Sequence, residues 1–339
     1  MINIISRSYY SRIASGPKKV ANNLIKGLDL IGYPYVINKG LDTCRRLWIH
    51  DDVAALRKMS KLPSEVRVVI GPNLFVLPRQ IPKGLDLSKA VYIQPSVWAK
   101  DFWERAGFKA CQVAVWPVGV DTEEFRFGQP SRGSVMVYFK QRSKEELRKV
   151  KAALESRRLP YRVMSYGSYS EGEYKQVLSQ SRYAVWLGMS ESQGLALEEA
   201  LAANVPMVVC DAPVKEQMEA IKKRMNEESL GGIGPIDATS APYFDERCGL
   251  KIKGLGKLEE ALETIESHLS DFHPREYVLE NLTLEKQARE FVEIFRRYHG
   301  LPFEEGLSER PLKEGEWDSG GWVNRTKFVA KDLFKSIFR

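Results

Sequence analysis

Along the first 120 residues, short apolar runs alternate with segments whose apolar positions recur every three or four residues. The runs are INIIS (2–6), YVIN (35–38), RRLWIH (45–50), VRVVIG (66–71), VYIQPS (91–96) and CQVAVWP (111–117). Continuous apolar stretches of this length suit strands buried on both faces. Between the first two, Val20, Leu24, Leu28 and Ile31 fall at helical spacing, with Pro17 suited to the opening turn and Gly32 to the stop. Ser96 stands as an N-cap before WAKDFWERAGF (98–108). This rhythm predicts a parallel sheet covered by helices on both faces and joined by right-handed crossovers.

The pattern breaks at RFGQPSRGS (126–134), a polar stretch with glycine and proline that reads as a linker, and then resumes. VMVYFK (135–140), YRVMSYG (161–167), YAVWLG (183–188) and PMVVC (206–210) predict a second set of strands. The charged SKEELRKVKAALESR (143–157) and EGEYKQVLSQS (171–181) predict helices between them. Residues 226–249 lack periodicity and are expected to form a long surface loop beside the functional site, with two helices following at about 257–270 and 275–298. The expected organisation is a Rossmann-like domain over 1–125, a linker over 126–134, a second Rossmann-like domain over 135–298 and an extension over 299–339. At 339 residues, two domains are also what length alone implies.

The extension ends in WVNRTKFVAKDLFKSIFR (322–339), where Phe328, Val329, Leu333, Phe334, Ile337 and Phe338 can share one helical face. Arg325, Lys327, Lys331, Lys335 and Arg339 face a single acid, Asp332. Docking on the body of the protein and peripheral contact with a membrane surface are the two readings of such a helix.

A hydrophobic fraction of 43% and a charged fraction of 28% describe a globular chain rather than a disordered or fibrous one. With no eighteen-residue apolar stretch and no signal-peptide pattern, a cytoplasmic protein is expected. Cys44, Cys111, Cys210 and Cys248 are too scattered for a metal site and are expected to be thiols. The net charge of +7 fits an anionic small molecule, a membrane or nucleic acid. The basic residues are dispersed, with no stacking platform, so no nucleic-acid partner is expected.

Candidate chemistry concentrates in ESQGLALEEALA (191–202). Glu191 falls in the loop after a buried strand, Gly194 allows a close backbone approach, and the helix that follows presents unbonded N–H groups suited to an anion. Five residues separate Gly194 from Glu199, roughly 7–8 Å of helix at about 1.5 Å per residue. A diphosphate at the helix tip would lie between the two acids, with Glu199 placed for ribose hydroxyls and Glu191 for the group on the other side. If that group is a sugar, the ligand is a nucleotide sugar. The alternative is a pair of solvated surface acids, Glu191 merely favouring the helix dipole.

The stretch from Glu191 to Ala200 resembles the E-x7-E signature of retaining GT-B glycosyltransferases, particularly glycosyltransferase family four, with Gln193 where that pattern has an aromatic. WPVGVDTEEF (116–125) resembles the family's interdomain connection, with Val118 in place of asparagine. Ser15-Gly16-Pro17 resembles its N-terminal donor loop, and NVPMVVCD (204–211) its G-x-P-V-V strand. The resemblance spans about residues 2–295 and implies an α/β GT-B fold, two Rossmann-like doubly wound parallel-sheet domains facing a cleft.

It also implies that Glu191 contacts the donor sugar and Glu199 the ribose. Ser192, Gln193, Gly194 and Leu195 would line the donor, and Gly16 would complete its site. Lys140 and Arg142 would bind the diphosphate, without the family's usual glycine–arginine pair, and would neutralise charge on the leaving group. His50 ends a first-domain strand, the edge from which α/β sheets present ligands, and is a candidate contact to the reacting sugar. Tyr166 and Gly167 are candidates to pack on the nucleobase. No cofactor or metal is expected, since no D-x-D or histidine–carboxylate cluster is present.

The expected activity is transfer of a sugar, with retention, from a nucleoside diphosphate sugar to a glycan, lipid-linked or other hydroxyl acceptor. The alternatives are a sugar-nucleotide epimerase on the same fold and a non-catalytic nucleotide-sugar-binding protein. A nicotinamide dehydrogenase is disfavoured, because no G-x-G-x-x-G follows either first strand.

Overall fold

A computed structural model describes residues 1–13, 15–127, 133–225, 234 and 236–313. The centre of the expected linker and the basic segment at 322–339 lie outside the described residues. The chain forms two compact units, Met1–Gly119 with the chain from Leu284 onward, and Val120–Thr283.

In the first unit the order is β1 (Ile2–Ile5), α1 (Gly16–Leu30), β2 (Tyr35–Ile37), β3 (Arg46–Ile49), α2 (Val53–Leu56), β4 (Arg67–Ile70), β5 (Ala90–Gln94), α3 (Val97–Arg105) and β6 (Gln112–Val115). The second unit contains β7 (Ser134–Phe139), α4 (Lys144–Ser156), β8 (Tyr161–Ser165), α5 (Glu171–Gln180), β9 (Ser181–Leu187), α6 (Leu195–Ala202), β10 (Met207–Asp211), α7 (Val214–Met225), β11 (Gly249–Lys253), α8 (Leu258–Ser267) and α9 (Pro274–Asn281). The chain then re-enters the first unit with α10 (Leu284–His299) and α11 (Phe303–Ser308).

Both sheets are parallel throughout. The six-stranded sheet runs β2-β1-β3-β4-β5-β6 and the five-stranded sheet runs β11-β10-β9-β7-β8. In each, the first strand lies between the second and the third, so the winding direction reverses between first and third. That reversal is the switch point at which open α/β sheets bind ligands, off the carboxyl ends of their strands. It falls between β1 and β3 in the first unit and between β7 and β9 in the second.

Local chemistry sets the helix starts. The Ser15 hydroxyl caps α1 by accepting from Lys18 N, and Ser143 with Glu146 forms a capping box on α4. Ser96 occupies the N-cap position of α3, yet its hydroxyl makes no cap bond.

The unit boundaries differ from those read in the sequence. The expected helix at 275–298 is two helices, and the second, α10, packs along α1 in the first unit. A Cβ on Gly27 would stand 2.5 Å from the Leu284 carbonyl oxygen, so only glycine admits α10 this closely. Phe291 then meets Trp48 and Trp116 edge-on at 5.1 and 4.8 Å between ring centroids, and the Trp116 indole donates to the Gln287 carbonyl. Arg46, fully buried, donates to Glu309 and to the Pro302 carbonyl, which draws the chain after α10 onto the same unit. At the other boundary, Val120 N donates to the Leu282 carbonyl and Phe125 is buried in the second unit's core. Residues 120–127 therefore belong to that unit rather than to the first domain and linker.

Candidate functional site

The second unit's switch point is built from the ends of β7 and β9. Both strands are central and apolar, and Tyr138 on β7 stacks on Trp186 on β9 at 3.8 Å with the rings 6° from parallel. This aromatic pair floors the next residues outward. Lys140 follows β7, and its ammonium lies 2.7 Å from Oε1 and 2.9 Å from Oε2 of Glu191, in the loop after β9. The two side chains are 11% and 15% exposed, so the pair is shielded from bulk water while still reachable from it. The same ammonium stands 4.1 Å from the centroid of the Tyr166 ring, which continues from β8. Burial and then the Glu191 charge push the Tyr166 phenol up to about 12, which keeps it neutral.

The loop from Glu191 leads into α6 through Gly194, whose φ of +95° is open to glycine and strained for other residues. Leu195 and Ala196, in the first turn, are half-buried, and Ser192 is exposed. Glu199 lies in the second turn, buried, where its charge adds to burial in pushing the Tyr174 phenol up. Gly167, beside Tyr166, is exposed, so the segment from Tyr166 to Gly167 forms an open rim.

Gln193 has a specific partner. Its side-chain amide donates to Oε2 of Glu198 at 2.9 Å, and both residues are buried. Oε1 of Glu198 has no hydrogen-bond partner. Burial lifts the Glu198 carboxyl well above the usual carboxylate range, the Gln193 bond pulling the other way and Glu199 adding to the rise. Gln193 and Glu198 therefore form an interior polar pair behind the loop, not a ligand-facing one.

Two other expected residues do not face the site. The Arg142 guanidinium is fully buried; Nη1 donates to the Gly188 carbonyl at 3.0 Å and to the Cys210 carbonyl at 2.6 Å. Its Nε is 3.1 Å from both Glu146 oxygens. Those bonds use the guanidinium to join the ends of β9 and β10, and a diphosphate has no access to it. His50 is also fully buried, its Nε2 donating to the Pro17 carbonyl at 2.9 Å. Burial holds the imidazole below its ordinary range, with Asp51 opposing, so it is a neutral tie between β3 and the start of α1. Gly16, the first residue of α1, is exposed at the first unit's switch point, where Asp51 accepts from the backbone N–H groups of Arg7 and Ser8 at 2.7 and 3.0 Å.

The expected surface loop at 226–249 is partly internal where it is described: Ile236, Ala238, Ser240 and Ala241 are buried, whereas Gly234, Asp237 and Glu246 are exposed. Thr239 accepts from Glu191 N through its carbonyl at 2.9 Å, and its hydroxyl donates to Asp211 at 2.6 Å. The segment's place beside the site was expected; Asp211 was not singled out, and the available signal was an acid closing an otherwise apolar strand. All four cysteines are thiols. Among the described residues, no three His, Cys, Asp or Glu side chains cluster as metal ligands would, and no helix is long and apolar enough to cross a membrane.

No family model matches the chain, and no curated protein matches it either. Solved structures do. Sucrose-phosphate synthase from Thermosynechococcus elongatus is 12% identical with a TM-score of 0.57, over 88% of this chain and 99% of that one. HepE of Anabaena, solved with UDP and glucose, is 12% identical with a TM-score of 0.54, over 87% and 99%. TarM of S. aureus, in a complex that includes UDP, is 12% identical with a TM-score of 0.51, over 81% of this chain and 58% of that one.

The fold is GT-B. At this level of identity the fold is what the chain shares with these proteins.

Proposed function

We propose that the protein is a retaining glycosyltransferase that moves a sugar from a nucleoside diphosphate sugar to a glycan, lipid-linked or other hydroxyl acceptor. The observation that carries this reading is the Lys140–Glu191 pair at the switch point of the second sheet, beside the start of α6 and over the Tyr166 ring. Three proteins of like fold, a sucrose-phosphate synthase and two solved with UDP, support the same substrate class here.

In this reading the donor diphosphate, with more negative charge than one carboxylate, takes the Lys140 ammonium from Glu191. Glu191 is then released to accept hydrogen bonds from the sugar hydroxyls, and Glu199 does so from the ribose. The bond between the anomeric carbon and the diphosphate oxygen breaks, its electron pair passing to the diphosphate, where Lys140 stabilises the charge. The acceptor oxygen bonds to the same face of that carbon, and its proton passes to the leaving phosphate. No resident metal is invoked. Tyr166 and Gly167 bound the nucleobase.

A second reading is a non-catalytic nucleotide-sugar-binding protein, favoured by the enclosure of Arg142, which leaves Lys140 without the arginine implied by the family resemblance. Incubating the protein with UDP-, GDP- and dTDP-sugars and an acceptor panel, with detection of free nucleoside diphosphate and glycosylated product, separates the two. Both products appearing together, with the α or β configuration kept, supports transfer. Nucleotide-sugar binding without either product supports the second reading.

A further inference from the structure

We propose that Asp211 is the positioning residue of the site: through residues 239–241 it fixes the backbone of Glu191. The inference rests on the reading of Glu191 given above.

Asp211 closes β10, the strand beside β9, and is fully buried. A carboxylate in that position is costly unless hydrogen bonds satisfy it. Its Oδ2 accepts from the Thr239 hydroxyl at 2.6 Å, and its Oδ1 accepts from the Ser240 backbone N–H at 2.8 Å and the Ser240 hydroxyl at 2.7 Å. Thr239 in turn presents its carbonyl to Glu191 N at 2.9 Å. One residue therefore links the buried acid to the backbone of Glu191, by its hydroxyl at one end and its carbonyl at the other. Ala241 N, donating to the Thr239 hydroxyl at 3.1 Å, stiffens the link.

Two of these residues, Thr239 and Ser240, touch the loop after β9 at three successive points. A Cβ at Gly188 would stand 2.7 Å from the Ser240 Cβ, so the strap lies flat against the end of β9. Glu191 is held by Thr239, and at Gly194 the Ser240 carbonyl oxygen would be 3.5 Å from a Cβ. Segment 239–241 has no helix or strand bonds of its own to hold it. Three hydrogen bonds to one buried acid, and one from the Lys251 ammonium to the Ala241 carbonyl at 2.8 Å, supply that order. Behind the loop, Arg142 joins the Gly188 carbonyl to that of Cys210, the residue before Asp211, so the base of the loop is closed on a second side.

Glu191 meets the sugar in the step where charge separates, whereas nucleotide binding rests on Lys140 and Glu199. Loosening the strap should therefore lower turnover more than donor binding. Three variants test this on the full chain: Asp211→Ala removes both acceptor oxygens and with them all three hydrogen bonds, Asp211→Asn keeps an oxygen for Ser240, and Thr239→Val removes the hydroxyl while leaving the carbonyl. Hydrogen–deuterium exchange is read on the peptide spanning 188–195, alongside kcat and KM for the donor and the affinity for free nucleoside diphosphate.

In Asp211→Ala, exchange at the Glu191 amide should rise by about tenfold or more, as local opening becomes easier. Its kcat should fall by about 100-fold with donor KM within about threefold, the signature of a misplaced group rather than a lost binding contact. Asp211→Asn should recover most of both, and Thr239→Val should fall between; if Asp211→Ala does not fold, Thr239→Val and Asp211→Asn carry the comparison. Unchanged exchange at Glu191 in the folded variants overturns the proposal, as does raised exchange with wild-type kcat. Glu191→Ala is run in parallel: wild-type turnover there overturns the reading of Glu191 itself, whereas lost turnover there and wild-type turnover in Asp211→Ala overturns only the role of Asp211.

Discussion

Lys140 and Glu191 follow different strands, β7 and β9, and meet at 2.7 Å where the winding of their sheet reverses. Neither is buried deeply enough to be a purely interior pair, and neither is exposed enough to be a surface one. An anion arriving at the helix tip would have to compete with Glu191 for the ammonium.

Lys140 and Arg142, two residues apart, should respond oppositely to the same change. Lys140→Met should raise the Kd for a nucleoside diphosphate by about 10- to 100-fold, since a charge-assisted contact contributes about 1.5–3 kcal/mol, and should leave the melting temperature nearly unchanged. Arg142→Met strands Glu146 and two carbonyls and should destabilise the fold by about 3–5 kcal/mol, with nucleotide affinity per folded molecule close to wild type. Thermal unfolding and calorimetric titration of both variants check this. Equal losses of affinity would return Arg142 to the diphosphate.

Glu199 should reveal itself by the part of the ligand it reads. Glu199→Gln should weaken binding of a ribonucleoside diphosphate by about tenfold, a loss of about 1.4 kcal/mol, and leave pyrophosphate binding unaltered. The measurement is competition between UDP, its 2′,3′-dideoxy analogue and pyrophosphate in the wild type and the variant. Glu199→Gln binding UDP as tightly as the wild type would remove the ribose assignment.

Glu198 should make stability depend on pH. Its carboxyl is lifted by burial in the folded state, so the folded chain holds a proton that the unfolded chain releases above about 4.5. The stability tied to that proton is complete below 4.5 and is lost as pH rises from there through the higher folded-state value. Glu198→Gln keeps an acceptor for Gln193 and cannot ionise, so its unfolding free energy should fall less between pH 4.5 and pH 8 than that of the wild type. Urea unfolding at several pH values in both proteins checks this, and parallel curves would place the charge of Glu198 outside the folding equilibrium.

Much of this was readable in the chain. The apolar runs marked strands in both halves because central parallel strands are buried on both faces, and Glu191, Gly194 and Glu199 were set apart by their place around one helix start. Strand order was not readable, since no residue in β7 states that its neighbour is β9. The amphipathic pattern of α10 declares a buried face without naming the helix it covers, and Gly27, which admits it, reads only as a weak point in α1. Lys140 and Arg142, two basic residues two positions apart after a strand, look alike in the sequence; the difference lies in Glu146 and two carbonyls brought from elsewhere. Gln193 departs from the aromatic of the resembling pattern because its partner, Glu198, is polar too.

The most direct test of the site is Glu191→Gln, which keeps the shape of the side chain and removes its charge from Lys140. Binding of free nucleoside diphosphate should be equal to the wild type or tighter by a few-fold, about 1 kcal/mol at most, because the ligand no longer competes for the ammonium. Sugar transfer should fall by about 100-fold in the same sample, as befits a contact made in the reaction rather than in binding. Wild-type transfer, or nucleoside diphosphate binding that falls together with it, would contradict the assignment of Glu191 to the sugar and Lys140 to the diphosphate.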